Sequence, residues 1–222
     1  SVYVPAEAAQ NYNTSGLDYS YGPEKKENRL LTLYANYNKL VESIKSSFDV
    51  TAGYDYQYWK STTPLYSEMN TLGEIQKTSK AKDERHVLLS YYGRLNYSFD
   101  SRYMLTTTIR RDATSRFAKN VRWGTFPSVA LGWRVTEESF LKDNKVLSNL
   151  KLRASYGVTG QQDGIGNYNY LPIYTQSQNG AEASMGNGYI HTYRPSSYVP
   201  DLKWETTTSW NVGFDFGFLK DR

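Results

Sequence analysis

The chain has 222 residues, a net charge of +4, no cysteine and 21 tyrosines, and its mean hydropathy is −0.68. No run approaches the ~20 apolar residues of a membrane-spanning helix, cysteine chemistry is excluded, and the scattered Lys and Arg residues form no block that would hold nucleic acid. A transmembrane β-barrel survives these filters, because half of its strand residues face a polar interior and keep the average hydropathy low.

The opening SVYVPAEAAQ lacks the basic-then-apolar run of a signal peptide. The expectation is that a leader was removed or that the chain is a piece of a longer one. The first alternating segment is Leu31, Leu33, Ala35 and Tyr37 against Thr32, Asn36 and Asn38, with Tyr34 out of pattern. It predicts a strand near 30–38, because successive strand side chains point to opposite faces. Phe48–Tyr58 alternates without a break, with Phe48, Val50, Ala52, Tyr54, Tyr56 and Tyr58 on one face and Asp49, Thr51, Gly53, Asp55 and Gln57 on the other. The same rule predicts strands near 86–99, 102–112, 124–136, 150–160 and 204–218.

The connections are unequal. In an antiparallel meander, alternate connections share an end, so 59–85, 113–123 and 161–203 lie at one end and the shorter 39–47, 100–101 and 137–149 at the other. Transmembrane barrels carry short turns at one rim and long loops at the opposite one. A strand of ~11 residues tilted by ~45° rises roughly 25 Å, the height of an outer-membrane apolar band. Tyr54, Tyr56 and Tyr58 gather near the long-loop rim, and Tyr97, Phe99, Tyr103, Trp133, Phe216 and Phe218 near the short-turn rim, as two interfacial girdles would. The predicted fold class is all-β: an antiparallel transmembrane barrel meander of about seven strands, part of a larger barrel. The competing reading is a soluble or surface carbohydrate-binding β domain that uses its tyrosines as platforms. A third is a self-contained eight-stranded barrel with Val2 and Val4 in an extra strand.

Four stretches then carry a specific resemblance: YYGRLNYSFDSRYMLTTTIRRDATSRF, RWGTFPSVALGWRV, LSNLKLRASYGVTGQQDGIGNY and PDLKWETTTSWNVGFDFGFL. In this order they resemble the barrel of the SusC/RagA family of TonB-dependent outer-membrane transporters of Bacteroidota, over roughly Tyr91 to Leu219. Ala113-Thr114 departs from the family's Gly-Ser, at what is expected to be a strand-end loop. The resemblance implies energised import of a bulky nutrient, a glycan or peptide, across the outer membrane. It also implies a 22-stranded barrel, an amino-terminal plug, contact with TonB through amino-terminal parts not seen here, and a SusD-like surface lipoprotein as lid. Residues 1–222 are thus expected to be a partial barrel domain without its plug, embedded in outer-membrane lipid.

Enzymatic chemistry finds no support in the residues. His86 and His191, the only histidines, have no recognisable ligand or nucleophile spacing. Gly164 and Gly166 lack the Lys-Ser/Thr of a phosphate loop. Asp201 and Glu205 beside Trp204 form no readable acid pair, and Asp163, Asp49 and Asp55 show no calcium-loop spacing. No catalytic residue, metal or cofactor is expected. The residues expected to face the lumen are Asp49, Asp55, Arg94, Arg110, Arg134, Arg153 and Asp215, because an Arg at the lipid midplane costs ~2–4 kcal/mol. The long loop offers Tyr168, Tyr170, Tyr174, Tyr189, Tyr193, Tyr198 and Trp204 as candidate contacts to nutrient or lid. Their rings can stack on sugar faces while their polar tips hydrogen-bond.

Overall fold

The computed structural model describes residues 2–3, 18–20, 23–69, 75–141, 146–176, 182–186 and 188–218. Among them, strands run in the order β1 (Val2–Tyr3), β2 (Asp18–Ser20), β3 (Lys25–Val41), β4 (Ser46–Thr63), β5 (Tyr66–Met69), β6 (Ile75–Ser79), β7 (Lys82–Phe99) and β8 (Tyr103–Thr114). They continue as β9 (Trp123–Arg134), β10 (Leu147–Gln161), β11 (Tyr174–Gln176), β12 (Glu182–Met185), β13 (Gly188–His191), β14 (Tyr193–Pro195) and β15 (Glu205–Phe218). The chain divides into two compact units, residues 1–30 with 57–87 and residues 31–56 with 88–222. In the first, β1, β2, β5 and β6 form a four-stranded sheet in that order. Val2–Tyr3 pairs with Asp18–Ser20 and belongs to that sheet, which overturns the eight-stranded reading; Val4 lies outside the described residues.

All seven predicted strands are present, in one antiparallel meander ordered β15-β10-β9-β8-β7-β4-β3. Several are longer than the alternation predicted: β3 starts at Lys25, and β4 reaches Thr63. Backbone pairing does not need the hydrophobic alternation to persist, so it carries strands past the apolar stripe. Ala113 and Thr114 are not loop residues. They end β8, register with Leu89 and Leu88, and are buried.

Local chemistry fixes the turns. Asp100 and Ser101 both take positive φ (48° and 55°), and Arg102 N–H donates to the Phe99 carbonyl at 3.0 Å. Two consecutive left-handed residues give a turn whose twist matches that of paired strands. At the β3–β4 turn, Lys45 is left-handed and caps the one-turn 3-10 segment Glu42–Ile44.

The register separates two faces. On one, Phe214, Leu152, Trp133, Tyr103 and Phe99 are directly opposed across β15, β10, β9, β8 and β7, with Val212, Ala154, Leu131, Leu105 and Tyr97 forming the next row. Phe48 meets Tyr97 at 5.0 Å and Tyr54 meets Tyr91 at 5.2 Å, so β4 continues this face. No second layer covers it among the described residues: Trp210 and Val212 are each 76% exposed. Among the described residues the few buried side chains divide between the two ends: Phe117, Phe126, Ser90, Asp112, Ala113 and Thr114 lie toward the long-loop end, and Ser46 and Val135 at the short-turn end.

Candidate functional site

The connection 162–204 is an antiparallel arm. Val199 N–H donates to the Asn169 carbonyl at 3.0 Å and Ser196 N–H to the Ile173 carbonyl at 2.6 Å. Farther out, β11 pairs β14 with Gln176 opposite Tyr193, and β12 pairs β13 with Met185 opposite Gly188. Gly186 turns the tip at φ 60°, a conformation that costs glycine nothing. His191 Nδ1 lies 3.0 Å from Glu182 Oε1 across the outer pair.

Both feet of this arm are tied to one dipeptide on the β8–β9 connection. At the outgoing foot, Arg116 donates from Nη1 to the Gln162 carbonyl and from Nε to Asn167 Oδ1, each at 3.1 Å, with Asp163 3.7 Å away. At the returning foot, Trp204 packs edge-on against Phe117 (5.6 Å) and Phe126 (5.3 Å). Its indole N–H donates to the Arg122 carbonyl at 2.9 Å. Phe117 is fully buried. The strands make room with glycine: a Cβ at Gly160 would stand 2.1 Å from the Phe126 ring, and one at Gly124 2.4 Å from it. The Phe126 ring thus accounts for Gly124 and Gly160, two of the glycines in the motif stretches. The four stretches singled out in the sequence meet here, each supplying a member of the clamp.

The structure sorts the candidate contacts. Tyr174, Tyr189, Tyr193 and Tyr198 are exposed on the arm, while Tyr168 and Tyr170 are half-buried near its base. Trp204 differs from them, with its ring edges and its N–H already engaged in the clamp. Arg116 and Phe117 escaped sequence reading because nothing about a Ser-Arg-Phe in a connection announces long-range partners.

The seven charged candidates share the polar face. Arg94, Arg110, Arg134, Arg153 and Asp215 alternate with the apolar rows in the strand registers. Asp55 lies 3.4 Å from Arg110, and Asp49 accepts from Asn36 at 2.6 Å. Arg110 is a hub that also donates to Ser90 at 2.8 Å and to Asp112 at 3.1 Å. Arg153 bonds Asp215 at 2.8 Å. In the other unit His86 stacks on Trp59 at 4.4 Å. No cluster suited to a metal ion occurs among the described residues.

The short-turn rim is polar and aromatic together. Tyr103 Oη and Trp133 Nε1 both donate to Glu138 Oε1, at 2.5 and 3.1 Å, and Arg102 reaches Glu138 at 3.2 Å as well as Asp100. Hydrogen bonding from Arg102 holds the Asp100 carboxyl below its ordinary value, and bonds from Tyr103 and then Trp133 do the same for Glu138. Rings whose bodies face the apolar side and whose polar tips reach a wet rim suit a membrane–water boundary.

Comparison with known proteins follows the same lines. The family model described as TonB dependent receptor-like, beta-barrel matches residues 2–222, a wider span than the motif stretches alone. The TonB-dependent receptor SusC of Bacteroides thetaiotaomicron is 45% identical over 202 residues, covering 84% of this chain and 20% of that protein. Among solved structures, the RagAB peptide transporter aligns with a TM-score of 0.74 at 23% identity, over 90% of this chain and 22% of that one. The RagAB peptide importer in its open-open state aligns at 0.72, over 95% and 24%. The chain therefore spans about a fifth of the length of SusC.

Proposed function

The chain belongs to the TonB-dependent receptor-like β-barrel family, and on that premise we propose that it forms a wall segment of an outer-membrane transporter that imports a bulky nutrient, a glycan or peptide. The observation that carries this reading is the pair of faces held in one register. An apolar face with no covering layer belongs against lipid, and a face bearing Asp49, Asp55, Arg94, Arg110, Arg134, Arg153 and Asp215 belongs against a hydrated lumen. A soluble carbohydrate-binding domain would have to bury the apolar face under a second sheet. β3 and β15, each paired on one side only among the described residues, take further strands of the whole barrel as neighbours, since an open edge is not tolerated in lipid.

In this reading the short-turn rim faces the periplasm and the arm faces outward. There its exposed tyrosines capture nutrient or dock a SusD-like surface lipoprotein. Energy reaches the transporter through TonB and the parts of the protein beyond these residues. The segment performs no bond chemistry.

A cysteine scan tests the proposal. The 222 residues contain no cysteine, so single cysteines in a full-length protein cleared of any others report one site each. Positions 49, 55, 211 and 215 are expected to react with a water-borne thiol reagent, and positions 50, 54, 212 and 214 to stay protected in membranes. Equal labelling of the two sets overturns the barrel reading.

A further inference from the structure

The apolar face carries a small side chain where every register neighbour is large. Along β10, Ala154 stands between Leu152 and Tyr156. The registers set Val212 and Leu131 directly beside it, Phe214 and Trp133 beside Leu152, and Trp210 and Val129 beside Tyr156. Directly opposed Cβ atoms on paired strands lie about 5 Å apart, so bulky side chains ring a single methyl. The result is an almost wholly apolar recess of about 710 Å³. It runs over β10 from Ala154 toward the short-turn rim, between Leu131 and Trp133 of β9 and Val212 and Phe214 of β15, and reaches Tyr103.

The rim-side wall of the recess is pinned. Tyr103 and Trp133 stack at 6.4 Å with their planes 12° apart, and both donate to Glu138. Arg102 joins Glu138 to Asp100, and Asp100 also takes Lys45, at 3.4 Å. Cation and carboxylate therefore alternate along this chain of four, and their charges cancel. A net-charged head group gains no attraction from such a rim, whereas a head group with one charge of each sign finds a partner for both.

We propose that this recess seats an acyl chain of a zwitterionic phospholipid from the leaflet at the short-turn rim, its head group lying against the Arg102–Glu138 pair. The proposal rests on the wall reading above and adds a discrete lipid partner to it. The hydrophobic effect contributes nothing to the preference, because the chain is in hydrocarbon whether it is seated or not. Van der Waals contact decides it: a chain in the recess touches protein on several sides, and a chain on a flat face touches it on one. The pinned Tyr103–Trp133 wall is already in place, so seating the chain orders little else.

The test uses full-length transporter in detergent and two phospholipids with the same diazirine-bearing acyl chain, one with an ethanolamine head group and one with a glycerol head group. After irradiation below lipid saturation, adducts are mapped by peptide mass spectrometry. Wild type is expected to collect the ethanolamine lipid on 129–133, 152–154 and 212–214, several times more than on Leu95 and Leu105, which share the face outside the recess. Ala154→Phe is expected to lower the adducts in the recess about tenfold, Ala154→Leu to lower them as well, and Leu105→Phe to leave them unchanged. The proposal is overturned if adducts spread evenly over the face, if the glycerol lipid labels the recess as well as the ethanolamine lipid, or if both filling variants fold and keep the adducts. It is equally overturned if native mass spectrometry finds a dimer whose formation removes the adducts, since a second copy then covers the recess. Even labelling of the face leaves the wall reading standing, whereas absence of adducts from the whole face removes both.

Discussion

Phe117 and Trp204 meet edge to face, their ring centroids 5.6 Å apart and their planes at 75°, although 87 positions of sequence separate them. This contact closes the base of the arm from the side opposite Arg116, so one dipeptide controls both ends of a long excursion. Edge-to-face geometry sets the positive ring edge of one aromatic against the negative face of the other.

Phe117→Ala is expected to destabilise the arm base by about 3–5 kcal/mol, the usual cost of emptying a fully buried Phe site. Limited proteolysis of the full-length protein in detergent checks this. Cleavage within 171–198 is expected to accelerate while the barrel strands stay resistant. An unchanged cleavage rate removes Phe117 from the clamp.

Arg116→Lys is expected to release the outgoing foot almost as fully as Arg116→Ala. An ammonium is a compact point charge and does not present the guanidinium's fixed fork to the Gln162 carbonyl and Asn167 together. Hydrogen exchange over 162–170 is the measurement. Protection that survives in the Lys variant shows that charge alone holds the foot.

The two β10 glycines make a paired test. A methyl at Gly160 would stand 2.1 Å from Phe126, whereas one at Gly157 meets Ser128 Cβ at an ordinary 3.5 Å. Gly160→Ala is expected to destabilise by about 1–3 kcal/mol through overpacking, and Gly157→Ala by much less. Thermal unfolding of both variants decides it; equal shifts reject the steric account.

Acid is expected to weaken the short-turn rim. Asp100 and Glu138 are held below their ordinary values when folded. Their stabilisation is therefore full above the unfolded values, near pH 4 to 4.5, and is lost as pH falls through the lowered folded values. Glu138→Gln should flatten the acid limb of a melting-temperature profile. Parallel profiles for wild type and variant exclude Glu138 from that limb.

Replacing 173–196 with a short Gly-Ser turn keeps both clamped feet and removes most of the exposed tyrosines. The barrel is expected to assemble and the outer membrane to stay intact. Nutrient uptake or co-purification of a lid lipoprotein is expected to fall. Wild-type levels of both would make the arm a structural decoration.

The strands were legible because side-chain direction in a strand has period two, so Phe48–Tyr58 states its own two faces, and the unequal connections follow by counting. The turn at Asp100-Ser101 was visible as a gap between two alternating runs. Strand ends were less legible: Lys25–Arg29 and Lys60–Thr63 pair through their backbones, which hydrophobic pattern does not report. The arm base was not legible at all. Arg116, Phe117, Phe126, Gly160 and Trp204 come from separate stretches with no local signature, and only closure of the β8–β9 connection over the foot of β10 brings them within contact. Sequence fixes periodicity, which is a local property of the chain. Register and loop closure depend on contacts between distant residues, and those only the tertiary structure decides.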